Sequence, residues 1–468
     1  MIRAAAKHNF LSKVSPRGSP VSPSPKLPSA IAPTITAIPL SIVPESWKAS
    51  IEYAAVTDVG MRRSNNQDAH TTVQADSLER FHARGHLFVV ADGMGAHAAG
   101  ELASRIAAEQ IPLYYLRKPA GDPIAALRDA VQQANVDIHQ RGQQNHDFHN
   151  MGTTASTLAI LPEGALVAHV GDSRVYRLRD AKLEQLTFDH SLVWEMHASG
   201  QVTAESELSG SIPKNIITRS LGPSASVLVD IEGPFPIKSG DRFLLCSDGL
   251  TGQIEDDEIG PIIGSLPPAL AARILVDLAN LRGGPDNITV IVVEVVEHDF
   301  SGQPRRVVQP PRPDLVPWPM IGTAAFCAIA GGLLGLSGGI GPMIVSLVLS
   351  GIATFIAVAQ YRRRLRADGN VSGGNPSTRR RSGPYRSSPA KPTVALLEKL
   401  DQVLTALRAA AVQRHWDINW DSVNQTLADS QSCREQGKLA EALKLQAEGI
   451  VETMRQLKNQ QRSGTPRL

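Results

Sequence analysis

The stretch Leu87-Phe-Val-Val-Ala-Asp92-Gly93 joins a run of five apolar residues to an aspartate and a glycine. A short apolar run of this length predicts a buried strand, and glycine lets the chain leave that strand sharply. The stretch Leu244-Leu-Cys-Ser-Asp248-Gly249 repeats the same form. Asp-Gly is also the commonest hairpin turn, so either pair alone is a weak signal. Two pairs after apolar runs predict that Asp92 and Asp248 are carboxylates delivered at strand ends.

Three further aspartates, Asp68, Asp172 and Asp286, also stand beside apolar runs. Several strand-end aspartates without an accompanying His or Cys cluster favour hard divalent cations, which prefer oxygen ligands. Such cations suit phosphate chemistry, because one ion lowers the pKa of a water and a second can clamp the phosphoryl oxygens. The pattern therefore predicts a metal site that acts on phosphate esters.

Eight motifs follow one another along slightly over half of the chain. They are Thr57-Asp-Val-Gly with Arg63-Ser-Asn-Asn-Gln-Asp68, Val90-Ala-Asp92-Gly-Met-Gly95, Gly152-Thr-Thr154, Gly171-Asp-Ser-Arg174, Leu186-Thr-Phe-Asp-His-Ser191, Ile217-Thr-Arg-Ser-Leu-Gly222, Ser247-Asp-Gly-Leu250 and Asp286-Asn-Ile-Thr289. In this order they resemble the metal-dependent serine/threonine protein phosphatases of type 2C, in their bacterial form. The resemblance leaves the N-terminal tail and everything after about residue 298 uncovered.

The resemblance implies an α+β fold, a four-layer α-β-β-α sandwich in which two antiparallel sheets are flanked by helices. It implies a protein-serine/threonine phosphatase that uses two Mn²⁺ or Mg²⁺ ions at one edge of the sandwich. The substrates it implies are phosphorylated proteins, the products of serine/threonine kinases. A non-catalytic scaffold that binds phosphoproteins is the alternative, and retention of the aspartates argues against it.

Site residues are carried over from the resemblance position by position. Asp92 matches the aspartate that bridges both metals, and Gly93 matches a main-chain oxygen ligand. Arg63 matches the arginine that holds the substrate phosphate, a role that suits its planar fork of donors. The remaining metal ligands that the resemblance implies are Asp68, Asp248 and Asp286.

The sequence departs from the family at a third metal position. Asp172 matches an aspartate associated with a third, weaker metal, but Gly252 stands where some members carry another aspartate for it. Met94 occupies the position at which animal members carry a histidine, so no acid for the leaving alcohol is identified. Residues 192–216 form an insertion of the kind that usually controls access to a site.

The composition divides the chain into further segments. Leu315 to Tyr361 are 47 residues without a charge, with a Gly/Pro cluster in their middle and arginines on both flanks. This pattern predicts two membrane-spanning helices, about 318–337 and 343–361, with both ends in the cytoplasm. We therefore expect a multi-pass protein of the cytoplasmic membrane. The predicted boundaries are a disordered tail over 1–48, the phosphatase domain over 50–298, a Pro-rich linker over 299–317, the transmembrane helices over 318–361, a basic flexible linker over 362–392 and a helical region over 393–460.

Composition also excludes several function classes. Lys and Arg number 47 against 45 Asp and Glu, and aromatic residues make up 4% of the chain. These values give no support to a nucleic-acid partner. Three separated cysteines exclude a disulfide scaffold. The helical region 393–460 has apolar residues at helical spacing, and we expect it to bind a protein partner.

Overall fold

The computed structural model describes residues 51–95, 98–118, 121–199, 216–296 and 384–462. The strands of these residues are β1 (Ile51–Asp58), β2 (Asp68–Val73), β3 (His86–Met94), β4 (Gly152–Thr153), β5 (Ala155–Leu161), β6 (Gly164–Val170), β7 (Arg174–Arg179), β8 (Lys182–Gln185), β9 (Asp230–Phe235), β10 (Arg242–Cys246), β11 (Ile288–Val295) and β12 (Arg386–Pro389). The helices are α1 (Leu78–Arg84), α2 (Ala99–Arg117), α3 (Pro123–Gln144), α4 (Leu192–Ala198), α5 (Asp248–Thr251), α6 (Asp256–Ser265), α7 (Pro268–Leu281), α8 (Val394–Gln413), α9 (Trp420–Glu435) and α10 (Leu439–Arg462).

Two antiparallel sheets form the centre of the structure. The first has the strand order β1-β11-β10-β7-β8-β12, and the second has the order β2-β3-β5-β6-β9, with β4 also paired to β3. Their facing sides share one apolar core, in which Phe88 and Leu158 of the second sheet join Phe243, Ile291 and Val293 of the first. All five side chains are fully buried, so the two sheets pack face to face as a sandwich.

Helices cover both outer faces of the sandwich. The outer face of the second sheet shares an apolar cluster with α2 and α3, and α6 and α7 lie on the outer face of the first sheet. The α3 helix begins at Pro123, where the side chain of Asp122 accepts hydrogen bonds from two backbone N–H groups; this is a favourable N-terminal arrangement. The predicted four-layer sandwich is confirmed.

The C-terminal helices add a further layer on the side of the first sheet. Leu397 and Leu400 of α8 and Leu443 and Ile450 of α10 belong to the same apolar cluster as Leu275 of α7. The α7 helix is consequently buried from both sides, with ten of its 14 residues inaccessible. A helix whose residues are buried around most of its circumference needs such cover. The helices predicted over 393–460 are therefore present, and they contact the sandwich domain directly.

The segment just before these helices differs from its prediction. A flexible linker is predicted over 362–392; residues 362–383 lie outside the described residues, but Arg386–Pro389 form β12, which pairs with β8 at the edge of the first sheet. The physical reason is that the edge strand β8 offers backbone groups that another extended segment can satisfy. Pro389 is compatible with this position, because proline is tolerated on edge strands.

The predicted transmembrane helices over 318–361 lie outside the described residues, as do the tail over 1–48 and the linker over 299–317. Within the part of the chain that the structure describes, none of the helices combines the length and apolar content that a bilayer crossing requires.

Lys458 forms ion pairs that link α10 to the sandwich. Its Nζ atom lies 2.7 Å from Asp58 Oδ2 and 3.5 Å from Asp277 Oδ1. Burial opposes ionisation of Asp58, but the bonds from Lys458 and the Gly60 N–H hold its pKa below the ordinary value. Asp277 is fully buried and also pairs with Arg273 at 2.9 Å, so Lys458 is a cation shared by two carboxylates that have little access to water.

We expect Lys458→Ala to destabilise the protein by about 2 kcal/mol, because two poorly solvated carboxylates lose their shared cation. Urea unfolding of the two proteins measures the difference. Lys444→Ala on the same helix is the control, since its partner Glu448 is exposed and 3.9 Å away; such a pair contributes about 0.5 kcal/mol or less. Equal effects of both substitutions would contradict the assignment.

Candidate active site

Two of the predicted metal ligands face each other across neighbouring strands. Asp68 is the first residue of β2, and Asp92 lies near the end of β3 in direct register with it. The backbone around Asp92 is fixed from the β4 side, because its N–H donates to Thr154 Oγ1 at 2.9 Å and its carbonyl accepts from Thr153 Oγ1 at 2.9 Å. Strand pairing therefore brings the two carboxylates to one edge of the second sheet.

The glycine after each aspartate is required by a close backbone approach. A Cβ atom on Gly93 would lie 2.1 Å from the carbonyl oxygen of Gly100 and 2.5 Å from that of Gln67. A Cβ atom on Gly249 would lie 2.0 Å from the carbonyl oxygen of Asn287. These distances are far shorter than real Cβ contacts, so other backbone segments, including the first turn of α2, lie directly against both Asp-Gly pairs.

Asp248 lies near Asp68 and Asp92 but belongs to the chain that leaves the first sheet. It begins α5 immediately after β10, and Ser247 before it bridges the two sheets. Ser247 Oγ donates to Asp68 Oδ2 at 2.7 Å and accepts from the backbone N–H of Thr289 at 2.9 Å. This serine fixes the position of Asp68 relative to the ends of β10 and β11.

Arg63 and Asp286 lie on two loops that are tied together. Arg63 Nη2 donates to Asp286 Oδ2 at 2.8 Å, and both side chains are partly exposed. The buried Asn287 holds the loops in place, since its Oδ1 accepts from Gln67 N at 2.7 Å and its Nδ2 donates to the carbonyls of Val59 and Asn65. The structure thus brings Arg63 to the rim of the aspartate group.

Asp172 lies in the turn between β6 and β7, close to the same group. Arg174 lies two residues further along the chain, at the start of β7. Arg174 makes a two-pronged contact with Asp189 through Nε and Nη2, with distances of 2.9 and 2.7 Å to Asp189 Oδ2. The arginine is therefore engaged by Asp189, and its charge also acts on Asp172 and Asp248.

Burial and mutual repulsion dominate the electrostatics of the site. Burial first, and then the charges of Asp248 and Asp286, raise the pKa of Asp68 to about 7. Burial and the charges of Asp248 and Asp189 raise the pKa of Asp172 to about 8. The pKa of Asp92 is raised well above its usual range by burial and by all its acidic neighbours. A cation at this position would relieve the repulsion.

Three of these aspartates also have carboxylate oxygens that accept no hydrogen bond. The Oδ1 atoms of Asp68, Asp172 and Asp248 are buried and have no hydrogen-bond partner. Buried polar atoms without partners are rare and call for an explanation such as an ion. In the described ranges, no three His, Cys, Asp or Glu side chains form a group that could hold a metal as they stand. The unpartnered oxygens are nevertheless the donor type that Mn²⁺ and Mg²⁺ take.

The sequence analysis did not identify the polar residues that hold the site residues and loops in place by hydrogen bonds. Ser247, Asn287 and Thr154 occur in the quoted motifs, but no role was predicted for them. Their polar side chains next to strand-end aspartates are the signal that could have identified them. Ser247 and Asn287 each contact groups about two hundred residues away along the chain.

Comparison with known proteins agrees with this arrangement. The family model for protein phosphatase 2C matches residues 61–275. The protein phosphatase PhpP of Streptococcus pneumoniae is 39% identical over 256 residues, which cover 53% of this chain and 99% of PhpP. The chain belongs to the protein phosphatase 2C family. It is therefore a protein-serine/threonine phosphatase.

A second curated relative of this phosphatase comes from Mycobacterium tuberculosis. Its serine/threonine protein phosphatase PstP is 34% identical over 252 residues, which cover 54% of this chain and 46% of PstP. The crystal structure of PstP is 34% identical, covers 53% of this chain and 99% of the solved chain, and has a TM-score of 0.46.

We expect Asp92→Asn to separate metal binding from folding in this phosphatase. Without metal, the substitution should stabilise the protein by about 1 kcal/mol, because it removes one charge from a repelling group. With Mn²⁺ it should remove most of the metal-induced rise in Tm and lower activity by about 100-fold or more. Thermal unfolding with EDTA and with MnCl₂ measures both effects.

The control for this experiment is Asp76→Asn, at an exposed carboxylate paired only across a helix turn with Arg80. It should leave the metal response unchanged. An Asp92→Asn protein that kept a normal Mn²⁺ response would show that this carboxylate is not a ligand.

Proposed function

We propose that this phosphatase hydrolyses phosphoserine and phosphothreonine on cytoplasmic proteins, at the edge where the aspartates from both sheets meet. The observation that carries the proposal is the set of buried carboxylate oxygens without partners beside an arginine at the rim. The proposed ligands of two Mn²⁺ or Mg²⁺ ions are Asp68, Asp92, the main chain of Gly93, Asp248 and Asp286. Asp172 is the proposed ligand of a third ion.

When bound, the two ions would activate a water for attack on phosphorus and neutralise the charge of the phosphoryl oxygens. Asp68 and Asp92 are already opposite each other in the strand register, and Ser247 already holds one oxygen of Asp68. The remaining oxygen of Asp68 is unpartnered, so it can take a ligand position without losing a hydrogen bond.

Arg63 is the proposed residue for binding the substrate phosphate. A guanidinium carries five N–H donors in a fixed fork that matches phosphate oxygens. Its contact with Asp286 involves Nη2, and about half of its side-chain surface remains accessible. Asp286 therefore fixes the direction of the arginine while the group stays accessible to a phosphate. This arrangement lets Arg63 orient the ester relative to the carboxylates.

We expect the purified chain to hydrolyse a phosphothreonine peptide and p-nitrophenyl phosphate in MnCl₂ and to lose this activity in EDTA. Arg63→Ala should raise KM by about 10-fold with a smaller loss of kcat, because the arginine binds ground and transition states alike. Steady-state kinetics on both substrates measure the change.

Arg62→Ala is the matched control, since Arg62 is the exposed neighbour on the same loop. It should leave both constants within about 2-fold of those of the unaltered enzyme. An Arg63→Ala enzyme with unchanged kcat/KM would remove Arg63 from phosphate binding. A chain without Mn²⁺-dependent hydrolysis would refute the proposed function itself.

We also propose that residues 318–361 anchor the enzyme in the cytoplasmic membrane as a helical hairpin. Support comes from the 47 uncharged residues, the central Gly/Pro cluster and the arginines on both flanks. Because positively charged flanks favour the cytoplasmic side, the phosphatase domain and the C-terminal helices would share that side. The enzyme would then act on substrates at the inner membrane face.

We expect reporter fusions after His298 and after Leu468 to report the same, cytoplasmic location, because a hairpin returns the chain to its starting side. Topology reporters that are active only on one side of the membrane make this measurement. Opposite locations would refute the hairpin, and release of the protein from membranes by high salt without detergent would refute insertion.

A further inference from the structure

The α4 helix, which opens the insertion over 192–216, has little support of its own. It contains seven residues, and none of its side chains is buried. An isolated helix of this length is unstable in water, so tertiary contacts must hold it. At its base, Leu192 N donates to the carbonyl of Ile216 at 2.9 Å, and Thr218 Oγ1 donates to Glu195 Oε1 at 2.6 Å.

Trp194 is the main anchor of α4. The guanidinium of Arg386 lies 4.3 Å from the centre of its ring, and that of Arg174 lies 5.7 Å away. The edge of the Phe188 ring meets it at a centroid distance of 5.3 Å. Cation–π contacts and edge-to-face ring pairs are both attractive. One of these three contacts, Arg386, comes from the C-terminal region.

The C-terminal segment that supplies Arg386 is itself fixed to the sandwich. Arg386 pairs with Gln185 at the start of β12. Tyr385 before it donates from its N–H to the carbonyl of Gln185 at 2.8 Å and from its hydroxyl to Glu232 Oε1 at 2.5 Å. Its ring also meets Phe188 edge-on at 5.5 Å. The segment is therefore held by both sheets, which makes it a firm support for α4.

The same contacts reach the carboxylate group. Arg174, whose guanidinium also lies over the Trp194 ring, binds Asp189 through Nε and Nη2. Arg174 stands two residues after Asp172, and its strand register pairs it with Cys246, two residues before Asp248. The path from Arg386 through Trp194 to Arg174 therefore ends close to two proposed metal ligands. This places α4 next to the proposed active site.

We infer that Arg386 and Tyr385 are positioning residues for substrate selection: they hold α4 in the place where a phosphoprotein, but not a small phosphate ester, meets the enzyme. The inference rests on the proposed phosphatase activity at this site. The C-terminal region thereby contributes to recognition of protein substrates, although neither residue touches the reacting phosphate. A small aryl phosphate needs only the metal ligands and Arg63, so its hydrolysis is independent of α4.

The test compares Arg386→Ala, Arg386→Lys and Arg414→Ala in the full chain, each assayed in MnCl₂ with a phosphothreonine peptide and with p-nitrophenyl phosphate. Arg414 is the matched control, because it stacks on Trp416 at 5.5 Å within the C-terminal region. Arg386→Ala should raise KM for the peptide by about 5-fold and leave kcat and both constants for the aryl phosphate within about 2-fold. Arg386→Lys keeps a cation over the ring and should recover most of the loss.

Hydrogen exchange gives a readout that does not depend on activity. In Arg386→Ala, backbone amides of α4 should exchange faster, while those of α8 and α10 should not change. In Arg414→Ala, exchange in α4 should stay as in the unaltered enzyme. Unchanged exchange in α4, or an equal rise of KM for both substrates, would overturn the inference while leaving the proposed function intact. An unaltered enzyme that hydrolyses neither substrate would instead refute the proposed function.

Discussion

Asp68 and Asp92 face each other across two paired strands, and the charges of Asp248 and Asp286 act on both. Bringing like charges together in a poorly solvated place raises the free energy of the folded state. The rest of the fold must outweigh that cost. It does so with an apolar interface between the sheets, in which Phe88, Phe243 and their neighbours are fully buried. The sandwich is thus a rigid support that keeps repelling carboxylates at fixed positions, as functional sites commonly require.

The strands and the carboxylates at their ends could largely be predicted, because short stretches of sequence determine both. Apolar runs that end in Asp-Gly identify strands and the carboxylates at their ends, and Asp92 and Asp248 lie where this reasoning places them. The supporting polar contacts could not be predicted in the same way. Ser247 bonds to Asp68 across 179 positions of the chain, and Asn287 bonds to Gln67 across 220. Contacts of that separation depend on which strands become neighbours, and strand order is not encoded in any single motif.

In the C-terminal region, the sequence pattern predicts the helices but not the surface against which they pack. Apolar residues at helical spacing predict that a helix has a face to cover, but they do not identify the covering surface. That surface is α7, most of whose residues are buried and which therefore needs cover from both directions. The strand β12 carries no strand pattern at all, since Arg386-Ser-Ser-Pro389 is polar and ends in proline. Its conformation comes from the open edge of β8 rather than from its own residues.

PhpP is matched along 99% of its length by about half of this chain, so a relative forms the family's domain without a counterpart of the C-terminal helices. The helices are consequently additional to the part of the chain that PhpP matches. Two contacts connect the C-terminal region to that part. Lys458 neutralises Asp58 at the base of the loop that bears Arg63, and Arg386 holds Trp194 of α4. These two contacts lie on different elements, β12 and α10. Arg386 and Lys458 therefore connect the C-terminal region to two different parts of the phosphatase domain, the α4 helix and the end of β1.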